Sequence, residues 1–428
     1  MTAFLLSLAR VGGVLLLGGT AGWGIAAALF PAGARLRAER LGWSFAVGCA
    51  LIATLVLPAP VTILAAGWPA FLVRAAILLA VARLLRLPPD DRPAVAGKSS
   101  PALWLIVVIG VGLYVLRALT EPMWSNDFIA IWGFKGKSLF SGGPLSQGPE
   151  FSHPEYPLGL PYLYAGLAFL TGHWDDHAMA LLFPLFQVAT LCVLFGWLRR
   201  RGASPALAAL AAAAVAGFEP LYSAFLTGMA EVPLAFGLLL FGTALVDTLD
   251  ETDPGATRRL AFASFFIAAT KNEGLFFAVA ASFLALAVER GRRWRVALTV
   301  LLPALLLRAL HIPWRSGLPL SYFEWNLFSM ERVWDSFAAA GVLLGWTTWA
   351  GLALLLALVV LGDRVPAGDR LLVLAVCALA AYLVIPAIAV RGPAWIIQTT
   401  LLRTTAALAP LVAAAVAVRY SAREPRPA

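Results

Sequence analysis

Charge is what this chain has least of. Only 13% of its 428 residues are Asp, Glu, Lys or Arg, about half the share usual in soluble domains. Hydrophobic residues fill 61% of positions and the mean hydropathy is +0.84. Length alone would allow two or three soluble domains, but apolar runs recur from end to end and leave no room for a sizeable one. Cysteine is also scarce. Cys49, Cys192 and Cys377 all fall within apolar runs and lack metal-type spacing, so free thiols are expected and a disulfide framework is not. The net charge of +9 comes without a basic patch. The basic residues are dispersed through short loops, which excludes nucleic acid as a partner and matches the positive-inside pattern of membrane proteins. Arginine far outnumbers lysine and alanine is abundant, a composition typical of GC-rich bacterial genomes. The N-terminus lacks a basic n-region, and its apolar run leads into Arg35, Arg37 and Arg40. It reads as a first spanning helix rather than a cleaved signal peptide. No fixed-period repeat and no inverted symmetry is visible.

A helix needs roughly 20 apolar residues to cross a bilayer's hydrocarbon core. On that basis about 13 transmembrane helices are expected, near 11–31, 42–57, 65–82, 101–118, 177–198, 204–218, 233–249, 258–270, 274–289, 296–312, 336–361, 371–390 and 400–418. The chain is thus expected to be an all-α polytopic membrane protein. The loops near 32–40, 83–99, 199–203, 250–259, 290–295 and 362–370, and the tail after 418, hold most of the arginines. Alternation puts them all on one side, expected to be the cytoplasm, with the N-terminus outside and the C-terminus inside. That parity requires the segment 157–171 not to span; it is short and interrupted by Pro161. The opposite loops, 119–176, 219–232, 271–273, 313–335 and 391–399, mix acids, bases and aromatics. This asymmetry places the expected functional groups on the outer face of the cytoplasmic membrane.

The first outer loop, 119–176, opens Glu121-Pro-Met-Trp124-Ser-Asn126-Asp127. Phe128, Ile131, Trp132, Lys135 and Leu139 then share one side of a helix, as in an interfacial amphipathic segment. Asp127 has two readings, a helix N-cap or a general base held at the membrane surface. His153-Pro154-Glu155-Tyr156-Pro157 follows, where prolines set a kink and His153 with Glu155 offers two metal ligands, weak evidence by itself. His173-Trp174-Asp175-Asp176-His177 resembles a metal cluster, but an acidic N-cap for the next apolar run fits it better. Glu231 lies at the edge of an apolar helix, where a carboxylate is expensive unless paired, solvated or used; first-turn capping beside Pro233 is the alternative. Thr270-Lys271-Asn272-Glu273-Gly274 joins two apolar runs as a polar turn. Arg391 and Arg403 border the last run, and Arg403 needs an anionic partner or a route to water.

Taken in order, these segments resemble the GT-C superfamily of membrane glycosyltransferases that use polyprenyl-phosphate sugars. The likeness is to the branch containing protein O-mannosyltransferases and lipid A aminoarabinose transferases. Asn126-Asp127 with Ile131-Trp132 and Lys135 is similar to the start of that family's first outer loop. His153-Pro154-Glu155-Tyr156-Pro157-Leu158 is similar to its juxtamembrane segment, Met229-Ala230-Glu231-Val232-Pro233 to its second acidic motif, Lys271-Asn272-Glu273 to its lysine-bearing turn, and Leu402-Arg403 to its late arginine. The resemblance covers about 101–418 and implies a GT-C-like catalytic core over 101–428, with outer juxtamembrane helices in its first loop and additional transmembrane helices in 1–100. The sequence departs from the family in having Asn126 where many members carry a second acid, and in having three spans before the core loop's own helix.

The implied reaction is transfer of a sugar from a polyprenyl-phosphate donor to a glycan, lipid or protein acceptor, with inversion at the anomeric carbon. Asp127 is the expected base, Glu231 the second catalytic carboxylate, and Lys271, Arg403 and Arg391 the cations for the donor phosphate. Trp124, Asn126, Trp132, Lys135, His153, Glu155, Tyr156, Asn272 and Glu273 are the expected substrate-binding residues. No cofactor is assigned, and a divalent metal is the one left open. Two competing readings are a lipid or small-molecule transporter or flippase, and a non-catalytic envelope assembly subunit. The clustering of charge at one surface rather than at the midplane weighs against transport.

Overall fold

A computed structural model describes residues 2–31, 37–56, 68–87, 97–142, 153, 156–250, 253, 255–288, 291, 293–311, 325–343 and 365–421. Every element in these residues is helical. The N-terminal part holds α1 (Thr2–Ile25), α2 (Arg37–Ala53) and α3 (Trp68–Leu84), followed by α4 (Pro101–Thr120). The expected outer loop contains α5 (Gly133–Phe140) and α6 (Gly159–Thr171). Then come α7 (Asp176–Met179), α8 (Leu182–Arg200), α9 (Pro205–Ala216), α10 (Glu231–Leu249), α11 (Ala256–Thr270), α12 (Asn272–Val288) and α13 (Arg293–His311). The last four are α14 (Met330–Leu343), α15 (Pro366–Val384), α16 (Pro393–Ala406) and α17 (Ala409–Ser421).

The expectation of about 13 spans is not met in the described residues. Five helices are long and apolar enough to cross a membrane: Thr2–Ala28, Pro101–Thr120, Asp176–Arg200, Glu231–Leu249 and Pro366–Ile388. A sixth exists if α16 and α17, bent 45° against each other, count as one. The chain is therefore a multi-pass membrane protein, and its described residues hold fewer full-length spans than hydropathy suggests. The reason is length. Several of the expected spans form helices such as α9 and α11, of 12 and 15 residues, short of the roughly 20 needed. A run buried in protein reads the same on a hydropathy scale as one that crosses lipid. The expected span 336–361 lies largely outside the described residues.

One core runs through the molecule, from Val11 on α1 to Val418 on α17. Helix α10 is its axis, packed against α8, α11, α12, α15, α16 and α17. Helix α2 packs against α6 and α8 as well as α1, so the N-terminal helices share that core. Small residues permit the close approach of α1 and α2: a Cβ on Gly22 would lie 2.0 Å from the Ser44 carbonyl oxygen, and one on Gly48 2.5 Å from that of Gly18. The Gly18/Gly22 motif thus serves packing within the chain.

The two ends of α10 carry separate charge clusters, about 24 Å apart for 16 residues of helical rise. At its C-terminal end, Arg200 bridges Glu39 at 2.8 Å and Asp247, while Arg259 reaches Asp247 at 3.3 Å and Asp253 at 3.3 Å. Arg201 and Arg370 both bind Asp250, and Arg419 binds Asp369. Arg200, Arg201, Arg259, Arg370 and Arg419, which in the sequence serve only as topology markers, are therefore paired. Glu39, Asp247 and Arg259 are buried to 1% exposure or less, which a charge tolerates only with partners.

Candidate active site

At the N-terminal end of α10, four segments remote in sequence bring their charges together. Arg403 Nη1 donates to Asp127 Oδ2 at 2.5 Å, and its Nε lies 3.4 Å from Glu231 Oε1. Lys271 Nζ contacts the same Glu231 oxygen at 3.1 Å and Glu273 Oε1 at 2.7 Å. Asp127, Arg403, Glu231, Lys271 and Glu273 thus form one continuous chain of ion pairs. It is graded in depth: Glu231 and Lys271 are buried, whereas the Glu273, Arg403 and Asp127 side chains retain 19%, 16% and 26% exposure. Burial works against the Lys271 ammonium, but the carboxylates of Glu231 and Glu273 outweigh it and hold its pKa above the ordinary lysine value.

Local structure explains each placement. Asp127 begins a short π-helical turn, Phe128–Trp132, that runs into α5. Its side chain makes no cap hydrogen bond; Ser125 Oγ accepts the Phe128 N–H instead, at 3.3 Å. The cap reading of Asp127 is thereby corrected, and its carboxylate is turned to Arg403. Glu231 stands in the first turn of α10, where the capping reading put it, and its Oε1 is also engaged by Lys271 and Arg403. Gly228, at φ +94°, sets the turn before it, where a Cβ would strike the Phe128 ring; Tyr164 Oη fixes that turn by donating to the Gly228 carbonyl at 3.0 Å. Lys271 is an extended residue between α11 and α12. Arg403 occupies the last turn of α16, which ends before Pro410, a residue with no N–H to continue the ladder.

The remaining expected site residues fall into three groups. Trp132, Tyr156 and His153 form a stack, with ring centroids 5.2 Å and 4.6 Å apart and planes within 11°. Tyr156 is close enough to Lys271 and Arg403 to act on both electrostatically. Lys135, expected to bind substrate, is buried and donates to the carbonyl of His153, a residue at φ +54°, at 2.6 Å. Asn272 Oδ1 accepts from Arg308. The third group lies apart from the charge cluster's ion pairs: Trp124 is exposed and donates to Glu121 at 3.4 Å, Asn126 is exposed, and Arg391 stacks over Trp395 at 4.8 Å. Glu155 lies outside the described residues.

The amphipathic segment behaves differently from expectation. Phe128, Ile131, Trp132 and Lys135 are all buried in protein, whereas an interfacial helix would turn its apolar face to lipid. In the 173–177 segment, Asp175 is the N-cap of α7, accepting from His177 N at 3.0 Å and Ala178 N at 2.9 Å. Burial alone would raise its pKa, but bonds from Ser7 and these two amides lower it below the usual carboxylate value. Among the described residues no three His, Cys, Asp or Glu side chains are grouped to hold a metal.

Two features were missed in the sequence. A cavity of about 260 Å³ is walled by Cys49, Leu158, Tyr162, Phe266 and Leu307 and bordered by Arg308; none of the five charged side chains of the cluster lines it. It touches the cluster's own segments at Pro233 and Thr270. The Tyr382 hydroxyl is buried without a hydrogen-bond partner, within electrostatic range of Glu231, Lys271 and Glu273. The signal for Arg308 was a cation inside an apolar run; Tyr382 had none. Comparison with protein-family models, with curated proteins and with solved structures finds no match to this chain.

Proposed function

We propose that the chain is a membrane glycosyltransferase that moves a sugar from a polyprenyl-phosphate donor to an acceptor hydroxyl at the outer face of the cytoplasmic membrane. The supporting observation is the convergence of Asp127, Glu231, Lys271 and Arg403 into one ion-paired cluster, on segments whose Pro233 and Thr270 help line an apolar cavity. Such a site offers carboxylates for proton transfer, cations for a phosphate and an apolar wall for a prenyl chain.

In the proposed reaction Asp127 takes the proton of the acceptor hydroxyl as its oxygen attacks the anomeric carbon. The bond from that carbon to the phosphate oxygen breaks, and its electron pair stays on the phosphate. Lys271 and Arg403 stabilise that charge. Glu231, held by both cations, keeps them oriented and faces the positive charge that develops on the sugar. The attack comes from the face opposite the phosphate and inverts the anomeric carbon.

The experiment is transfer by purified protein in proteoliposomes, supplied with a panel of polyprenyl-phosphate sugars and scored for release of polyprenyl phosphate. Wild type is expected to turn over at least one donor, and Asp127→Asn to lose about a hundredfold or more in rate. Flipping of the labelled lipid between leaflets with no release would favour the flippase reading instead.

A further inference from the structure

The cluster carries more negative than positive side chains. Three carboxylates, of Asp127, Glu231 and Glu273, face two cations, Lys271 and Arg403. An arriving phosphate therefore meets a site whose cations are already engaged, and it can bind well only by replacing one carboxylate.

The three are not equally replaceable. Glu231 is 1% exposed in its side chain and touches both cations, so removing it would bury unpaired charge. Glu273 is tied to Lys271, whose other contact is the buried Glu231. Asp127 is the most exposed of the three at 26%, and it pairs with one terminal nitrogen of Arg403. Around that guanidinium the hydrogen bonding is incomplete. Arg403 Nε and Glu231 Oε2 are both buried without a hydrogen-bond partner, as is the Tyr382 hydroxyl. The two terminal nitrogens of a planar guanidinium form a fork suited to two oxygens of one phosphate, and here Nη1 of that fork is engaged by Asp127 while Nε faces Glu231 at 3.4 Å.

We infer that Asp127 and the donor's phosphate compete for the same edge of Arg403, so that seating the phosphate is what releases Asp127 to act as base. The inference rests on the lipid-phosphate reading above and adds its regulation. It makes catalysis ordered: the donor binds first and frees the carboxylate, and the acceptor hydroxyl is deprotonated afterwards. It also makes the site selective for charge, since a neutral prenyl alcohol has nothing to exchange for the carboxylate. Arg403 thereby couples donor recognition to the availability of the base, and water or a stray alcohol meets a carboxylate that is still tied up.

The test is binding of farnesyl phosphate to the full-length protein in detergent micelles by isothermal titration. Wild type, Asp127→Asn, Glu273→Gln, Arg403→Ala and the double variant Asp127→Asn/Arg403→Ala are compared, with farnesol in a parallel arm. Asp127→Asn is expected to bind farnesyl phosphate about tenfold more tightly than wild type. Glu273→Gln, which removes the same charge from the same cluster, should change affinity by less than about threefold. The gain should vanish in the Arg403→Ala background and be missing for farnesol. Equal or weaker binding by a folded Asp127→Asn protein overturns the inference while leaving the lipid-phosphate reading standing. So does an equal gain in Glu273→Gln or with farnesol. Should Asp127→Asn not fold, Asp127→Ser carries the same expectation. Binding of farnesyl phosphate by none of the folded variants overturns the reading and the inference together.

Discussion

At the residue scale, the Lys271–Glu231 contact is the deepest part of the site, with both side chains at 5% exposure or less. Two buried charges of opposite sign add little net stability over apolar neighbours, but removing one strands the other. Lys271→Ala is therefore expected to cost about 3–5 kcal/mol, because Glu231 keeps only the more distant Arg403 contact at 3.4 Å. Thermal unfolding in micelles would show this as a fall in Tm, and Lys271→Met with Glu231→Gln should recover most of it without restoring transfer. A double variant no more stable than Lys271→Ala would mean that the pair is not what matters there. In the sequence Asp127, Glu231 and Arg403 stand out as charges at or within apolar runs, while Lys271, by itself a polar turn, takes its expected role from the GT-C resemblance. The sequence had no means of pairing them, since Arg403 and Asp127 are 276 positions apart. It also draws in Lys135, Trp124 and Arg391, and the structure shows them against a loop carbonyl, a surface carboxylate and a tryptophan ring.

At the scale of elements, the polar turn between α11 and α12 decides where Lys271 points. The turn closes so tightly that a Cβ on Gly274 would lie 2.0 Å from the Ile267 carbonyl oxygen and 2.2 Å from its carbon. Those are backbone atoms near the end of α11 and cannot step aside without unwinding it. Gly274→Ala is expected to destabilise by at least about 2 kcal/mol and to lose transfer, as Lys271 and Glu273 shift together. Gly112 on α4 has nothing within 4 Å of its Cβ position. Alanine there should be neutral or slightly stabilising, by up to about 1 kcal/mol. Equal behaviour of the two variants in a melt would refute the argument. The helical character of these segments was legible from apolar runs and turn residues. The lengths were not, because an alanine-rich run such as 205–216 satisfies a hydropathy window whether it crosses lipid or stops inside protein.

At the scale of the whole molecule, the two charge clusters divide the work. The one around Glu231 is graded from buried to exposed; the one around Asp247 ties α2, α8, α10 and α11 together. Arg200 contacts both Glu39 and Asp247 with 5% exposure, so Arg200→Met leaves two buried carboxylates short of a partner and should cost about 3–5 kcal/mol. The far cluster is about 24 Å away along α10, beyond the range at which side-chain substitutions usually couple. Rate per folded molecule at permissive temperature should then stay near wild type while Tm falls. A rate loss matching that of Asp127→Asn would show the two ends to be coupled.

The sequence by itself determined the class of molecule and the residues that required an explanation. Scarce charge, recurrent apolar runs and dispersed arginines are sums over local composition, and burial energetics act on them residue by residue. Only the tertiary structure decided which charges meet, which apolar runs are too short to cross, and that Asp127 caps no helix but binds Arg403. Those outcomes depend on the angles and registers at which helices pack. Packing is set by the steric fit of many small contacts, such as the glycines between α1 and α2, and no single stretch of sequence contains it.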